Sequence, residues 1–333
     1  MKNAAIHMRD TAMTHGAKTL AANRAANGRK VLPSAWQLCA YLAVAGFLGL
    51  TSATFAMDRQ PAPPLVESID VNVPKMAMTA IDLAYEIYGG GLHVVSFGTQ
   101  AVLTPRTYEI ASQFQTEGMA DTLFNGRASS AANGLLTPQG PRLLAYEQEY
   151  DGRFGQRSIA MTLDQAGQYT VAAMPEDGIH EQGFTSEIVR GRVDPLTASI
   201  FTAINQHTAP CNTSIPVFDG RRVFNLEFSS EGETDLNPQG AGTYQGRAIL
   251  CKVNYKPVAG FTRKFMLQQA RDPLKPFTVW LARFDNVMGP GGTQPLVIPV
   301  RMEVETPVVN AIAHLVEAEV DGHHLIRAAT PTN

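Results

Sequence analysis

The sequence predicts an all-β fold: a curled antiparallel sheet, an open or spiral β-barrel, carrying one or two short helices. Three observations predict it. Short runs alternating apolar and polar residues recur every 8–15 residues from residue 77 onward. Asp-Gly pairs stand between such runs at 151–152, 219–220 and 321–322; that pair suits hairpin turns, which need positive φ. One stretch, 194–204, instead spaces its apolar residues by four.

The chain opens with a segment outside this pattern. Residues 1–34 hold Lys2, Arg9, Lys18, Arg24, Arg29 and Lys30 against a single acid, Asp10. The apolar run from Ala35 to Leu50 follows, and small residues lead to Ala56. A basic start, a short apolar core and a small-residue end read as a secretory signal over 1–56, cut after Ala53 or Ala56. The long basic region suggests a start at Met8 or Met13. The rival reading is an uncleaved anchor, since 35–56 could just span a bilayer. Cleavage is favoured because the apolar core is short and rich in Ala and Gly. Cys39 lies too early in the run to be a lipoprotein cysteine.

Loss of 1–56 takes six basic residues and one acid, and moves the net charge from −3 to −8. An acidic chain without a basic stripe excludes nucleic acid as an expected partner. No further run of about 18 apolar residues occurs. Residues 57–76 are rich in proline and form an extended linker. The single β-domain is expected over 77–326, and 327–333 is a disordered tail.

The domain's strands are expected at 77–88 (whose Ala and Leu content also allows a helix), 92–97, 107–116, 121–127, 142–150, 157–163 and 169–174, joined as a meander. Then comes the helix. Asp194 fits its N-cap and Pro195 its first position, and Leu196, Ile200 and Ile204 share a face that would plug or cap the sheet. Next, 215–218 and 221–228 form a hairpin about Asp219-Gly220, with Phe224, Leu226 and Phe228 on one face. Polar, Gly-rich 229–242 reads as a loop. In the strand 244–255, Ile249, Cys251, Val253 and Tyr255 alternate with their neighbours. Strands at 276–284, 295–306 and 310–320 follow, and Asp321-Gly322 turns the last into a short return at Leu325-Ile326.

Cys211 and Cys251 are the only cysteines after the leader. Three readings are open: a disulfide, two free buried thiols, or a metal site with His207. An exported chain favours a Cys211–Cys251 disulfide. It would close a loop of about 40 residues, worth roughly 4 kcal/mol on the chain-entropy view.

Chemistry is hard to find. There is no G-x-S-x-G nucleophile elbow. His180-Glu181 lacks the second histidine of a zincin helix, and Gly240-x-Gly242-x-x-x-Gly246 misses dinucleotide spacing. His323 and His324 would point to opposite faces of a strand. No catalytic set, metal site or cofactor is expected.

Arg221 and Arg222 are candidate contacts. On a strand they would face opposite ways, one paired with Asp219 or Glu227, or forked around an anionic headgroup or partner carboxylate. Trp280 and Phe284 share a face of their strand, either as core or lining an apolar groove.

Several segments carry a family resemblance: Asp194-Pro195-Leu196-Thr197-Ala198, Cys211, Val217-Phe218-Asp219-Gly220-Arg221-Arg222, Tyr244-Gln245-Gly246-Arg247-Ala248, Cys251, Gly260-Phe261, Trp280-Leu281-Ala282 and Pro299-Val300-Arg301. In this order they resemble a bacterial envelope family catalogued as domain-of-unknown-function 3108, over residues 85–306. The resemblance implies a secreted curled sheet with a disulfide, similar to the spiral-barrel envelope-integrity proteins of Gram-negative bacteria. It implies no enzymatic activity. Such proteins often continue Arg-Arg with a basic or aromatic residue and then Asp, where Val223 and Asn225 stand here.

The expectation is therefore a non-catalytic periplasmic protein that supports envelope integrity through a protein partner, recruited at open strand edges. The proline-rich arm would suit such recruitment. The alternative is a carrier or sensor of a lipid or other apolar ligand inside the curl. Membrane association is expected only through an uncleaved leader.

Overall fold

The computed structural model describes residues 78–176, 185–201, 210–239, 242–288, 295–305 and 309–326. The leader, the linker, the tail, His180, Glu181, Ile204 and His207 lie outside the described residues.

Antiparallel strands dominate. In chain order they are β1 (Thr79–Gly89), β2 (Leu92–Leu103), β3 (Thr107–Thr116), β4 (Arg127–Thr137), β5 (Gly140–Asp151), β6 (Arg157–Leu163), β7 (Tyr169–Met174), β8 (Thr213–Phe218), β9 (Val223–Leu236), β10 (Gly246–Ala259), β11 (Phe277–Met288), β12 (Pro295–Glu305), β13 (Asn310–Val320) and β14 (His323–Ile326). They form one sheet in the order β7-β6-β5-β4-β3-β2-β1-β13-β12-β11-β10-β9-β8, with β14 on β13. Among the described residues no strand ladder joins β7 to β8, so the sheet curls without closing.

Alternation explains each strand locally. In β1, Ile81, Leu83, Tyr85 and Ile87 are buried while Asp82 is exposed. The Asp321-Gly322 turn has φ of 52° and 80°, the doubly left-handed geometry of a two-residue hairpin. Its Asp321 carboxylate also accepts a hydrogen bond from the Ala80 amide at 2.8 Å.

Four helices are described rather than one or two: α1 (Gly118–Phe124), α2 (Ser186–Val189), α3 (Pro195–Ser199) and α4 (Arg263–Arg271). Here several expectations are corrected. Residues 121–127, read as a strand, fall mainly in α1, which left-handed Asn125 ends. A strand absent from the sequence reading, β4, pairs with both β3 and β5. The supposed loop after residue 229 is the outer half of β9, paired through Leu236 with β10. The Asp151-Gly152 pair opens a longer connection rather than a two-residue turn.

Because neighbouring strands are antiparallel, their connections alternate between two poles. One pole, here called the upper, carries the β1–β2 turn, α1, the β5–β6 loop, the end of β7, the β8–β9 turn, α4, the end of β12 and the start of β13. The start of β1 and the β2–β3, β4–β5, β6–β7 and β13–β14 turns lie at the lower pole.

Candidate functional site

The free ends of the sheet meet at a seam. The segment before α3 lays Val193 beside Val217 as a parallel bridge, with Val193 N–H donating to Pro216 O and Phe218 N–H to Val193 O. Beyond it, the Phe218 ring meets Tyr169 of β7 edge-on, centroids 5.8 Å apart. The Tyr169 hydroxyl donates to Arg192 O at 2.6 Å. Side chains and a strap thus join the two ends where strand pairing does not.

The helix α3 fills the curl beside this seam. Asp194 has no solvent exposure. Its Oδ1 accepts from Leu196 N–H and Thr197 N–H, both at 2.9 Å, and its Oδ2 from the Thr197 hydroxyl at 2.5 Å. Pro195 follows at the first helical position, as the sequence predicts. The Thr197 oxygen lies 3.2 Å from the buried Tyr108 hydroxyl. Burial pushes Asp194 up to about 6, against the pull of its hydrogen bonds. Burial likewise raises Tyr108 and Tyr146, and nearby Asp194 adds to it.

The β8–β9 turn holds the first candidate contacts. It spans Asp219 to Arg222, four residues rather than two, because the ladder ends at the Phe218–Val223 pair. Asp219 Oδ1 accepts from Arg221 N–H at 2.8 Å and Arg222 N–H at 2.5 Å. Gly220 takes a φ of 85°, and a Cβ there would stand 2.5 Å from Ile159 Cγ2. The turn is thereby wedged against β6.

Arg221 and Arg222 consequently do not lie on opposite faces of a strand; the turn places both at the upper pole. The Arg221 guanidinium donates to Pro175 O at 2.5 Å, tying the turn to the end of β7. Arg222 sits over the Phe261 ring, 5.8 Å from its centroid. Desolvation raises Asp219, while Arg222 and then the turn's amides hold it down. Asn225 accepts from Arg192 at 2.8 Å, and Arg192 also donates to Ile188 O and Phe224 O.

Trp280 and Phe284 belong to a second cluster on β11. Each is half-buried against the core. Arg301 lies over Trp280 at 4.8 Å and pairs with Glu303, while Phe284 meets Tyr244 edge-on at 6.0 Å. Strand register aligns Ser96, Glu86, His314, Arg301 and Trp280 in one row across five strands. His314 is depressed to about 4, first by burial and then by Arg301. Sequence reasoning missed this row, since only the register brings its members together.

Cys211 and Cys251 form a disulfide, with Cα atoms 5.3 Å apart. It reaches from the residue region before β8 across β9 to β10. The interior beside α3 leaves a cavity of about 10 Å³, lined by Ile81, Leu83, Tyr85, Ala101, Ile200 and Ile298. That is room for about one water molecule.

The segments that converge here are those of a family. A family model described as "Protein of unknown function (DUF3108)" matches residues 84–316. The chain belongs to the DUF3108 family. No curated protein matches it. Among solved structures, it is similar to a beta-barrel-like protein of domain of unknown function DUF1849 from Brucella abortus, with 10% identity and a TM-score of 0.41. That similarity covers 74% of this chain and 98% of the other. Within the DUF3108 region, the Asp194 cap, the Asp219 turn and both cysteines fall around one seam, whereas Trp280 and Arg301 fall on the row described above.

Proposed function

We propose that this DUF3108 protein is a non-catalytic, exported component of the bacterial cell envelope that supports envelope integrity by binding a protein partner. One observation carries the reading: the sheet ends on β7, which pairs with β6 alone among the described residues. Such an edge presents unpaired amides and carbonyls that can template another strand. The sequence of β7, Tyr-Thr-Val-Ala-Ala-Met, has no charge and no proline to discourage pairing. By contrast, the outer edge of β8 is covered at Val217 by the Val193 bridge. An extended segment of a partner would extend the sheet at β7.

The alternative, a carrier of an apolar ligand inside the curl, would need more room than the cavity beside α3, which holds about one water.

The test places a charge on the edge. Ala172 is exposed in the middle of β7, so Ala172→Lys should leave the fold intact while opposing strand addition. Deletion of the gene should sensitise cells to detergent, and A172K at normal abundance should fail to restore resistance. Full restoration by A172K would remove the edge from the reading; a deletion without envelope defect would remove the reading itself.

A further inference from the structure

We propose that the upper pole docks on an anionic lipid surface. The inference does not depend on strand addition at β7. It begins from where exposed apolar side chains lie. Among the described residues, nine of the eleven large apolar side chains that are exposed sit on upper-pole connections or the strand ends beside them. Met78 and Val102 are the two at the lower pole. A random scatter of exposed apolar residues would not sort by pole, and single ones would need no explanation.

Two short helices concentrate the effect. No residue of α1 is buried, and its Met119 is 71% exposed with Leu123 beside it. Phe154 of the β5–β6 loop is 53% exposed, and its ring lies 6.2 Å from Phe124. Across the same pole, α4 also buries no residue and exposes Met266 and Leu267. Phe265 alone turns inward, stacked on Phe261 at 4.9 Å. Short helices that expose apolar residues suit the headgroup–acyl boundary, where apolar groups enter and backbone stays hydrated.

Charge selects the surface. The β10–β11 connection carries Arg263, Lys264, Arg271 and Lys275 against one acid, Asp272. Lys275 is engaged with Glu305 at 2.7 Å, which leaves the helix itself strongly basic. Arg153 lies beside Phe154, and its guanidinium donates to Leu123 O at 3.2 Å. Two acids at α1 are drawn inward, since Glu117 is buried and Asp121 accepts from the Thr116 hydroxyl, while Asp151 stays exposed at the end of β5. Apolar side chains flanked by the cations of α4 and by Arg153 fit anionic lipid better than an acidic or purely apolar protein face.

The experiment reads which pole touches the bilayer. Protein isolated from its envelope is prepared as Phe154→Trp and, separately, as Val102→Trp at the lower pole. Each is mixed with vesicles of phosphatidylcholine and phosphatidylglycerol whose chains are brominated, and tryptophan emission above that of the parent protein is followed. The added emission of F154W should fall about twofold and recover in about 0.5 M salt, while that of V102W stays unchanged. Comparing poles reads orientation, so the result holds with or without residues 1–56 attached. Equal quenching at both poles, or none at F154W, overturns the proposal.

A second variant, M119S/L123S/F154S, alters exposed side chains only and should keep the circular dichroism of the parent. Its added partition onto these vesicles should drop about tenfold. Unchanged partition overturns the proposal, all the more if the variant loses a co-purifying protein, because the pole would then be a protein contact.

Discussion

Asp194 caps α3 from a position without solvent exposure, so its carboxylate gains three hydrogen bonds and loses its water. The loss wins in part, since the group rises from 3.8 to about 6. Between those two values the folded chain holds the proton that the unfolded chain has released. Stability from this group is therefore greatest below 3.8 and declines as the pH rises to about 6, after which it is level. Asparagine can keep the two amide contacts and donate to Thr197 in place of accepting. Asp194→Asn should thus fold and flatten the decline. Asp194→Ala should lose about 1–2 kcal/mol or more at pH 7, because Leu196 and Thr197 amides go unpaired. Urea unfolding of the three proteins at about pH 4.5, inside the window of decline, and at about pH 7, above it, checks both statements. An unchanged pH slope in D194N would show that the carboxyl titrates alike in both states.

At the scale of elements, β8 is the weak member of the seam: six residues long, with β9 its one ladder partner. The Cys211–Cys251 disulfide ties its start across β9 to β10 over a separation of 40 residues. Replacing both cysteines by alanine should lower stability by about 4 kcal/mol, the chain-entropy value for such a loop. Denaturant midpoints of the double variant and of the parent with and without reductant check it; coincidence of the parent's two curves with each other would refute it. Which elements were readable follows the same physics. β1, β3, β6 and β7 bury one face against the core or its flank, so alternation marks them in the sequence. β4 is Arg-Ala-Ser-Ser-Ala-Ala-Asn-Gly-Leu-Leu-Thr, with little intrinsic strand preference, and exists because β3 and β5 offer it ladders on both sides. The outer half of β9, Ser229–Leu236, is mostly exposed and, among the described residues, pairs only with β10, so no apolar file betrays it. α1 is seven residues, too short for a helical period to outweigh a strand-like one. Of the candidate residues, the Asp194-Pro195 cap was legible from local spacing, and the cysteine pair from the expectation of export. The placement of Arg221 and Arg222 was not, because Asp219 gathers two amides and stretches a two-residue turn to four.

For the whole molecule, a curled sheet without a closing ladder has ends, and ends open first. At the centre, β1 pairs over nearly its whole length with both β2 and β13, and Tyr85 fixes β1 further by donating to Pro299 O at 2.9 Å. At the β7 end, six residue pairs attach the last strand to β6, and its exposed face alternates with a half-buried one. Among the described residues, what spans the gap there is side-chain contact rather than a ladder: the Tyr169–Phe218 rings, the Tyr169 hydroxyl on Arg192 O, Arg221 on Pro175 O and Gly220 against Ile159. Local opening should therefore be graded, with β6 and β7 exchanging amide hydrogens through a partial unfolding well below the global free energy, and β1 and β13 only through global unfolding. Tyr169→Ala should widen the gap between the two groups by weakening the β7 end about tenfold or more in exchange rate, while β1 and β13 amides shift far less. If native-state exchange instead gave β7 the protection of β1, the seam would be as cooperative as a ladder. A continuous barrel would then describe the molecule better than a spiral, and β7 would have no edge to offer a partner.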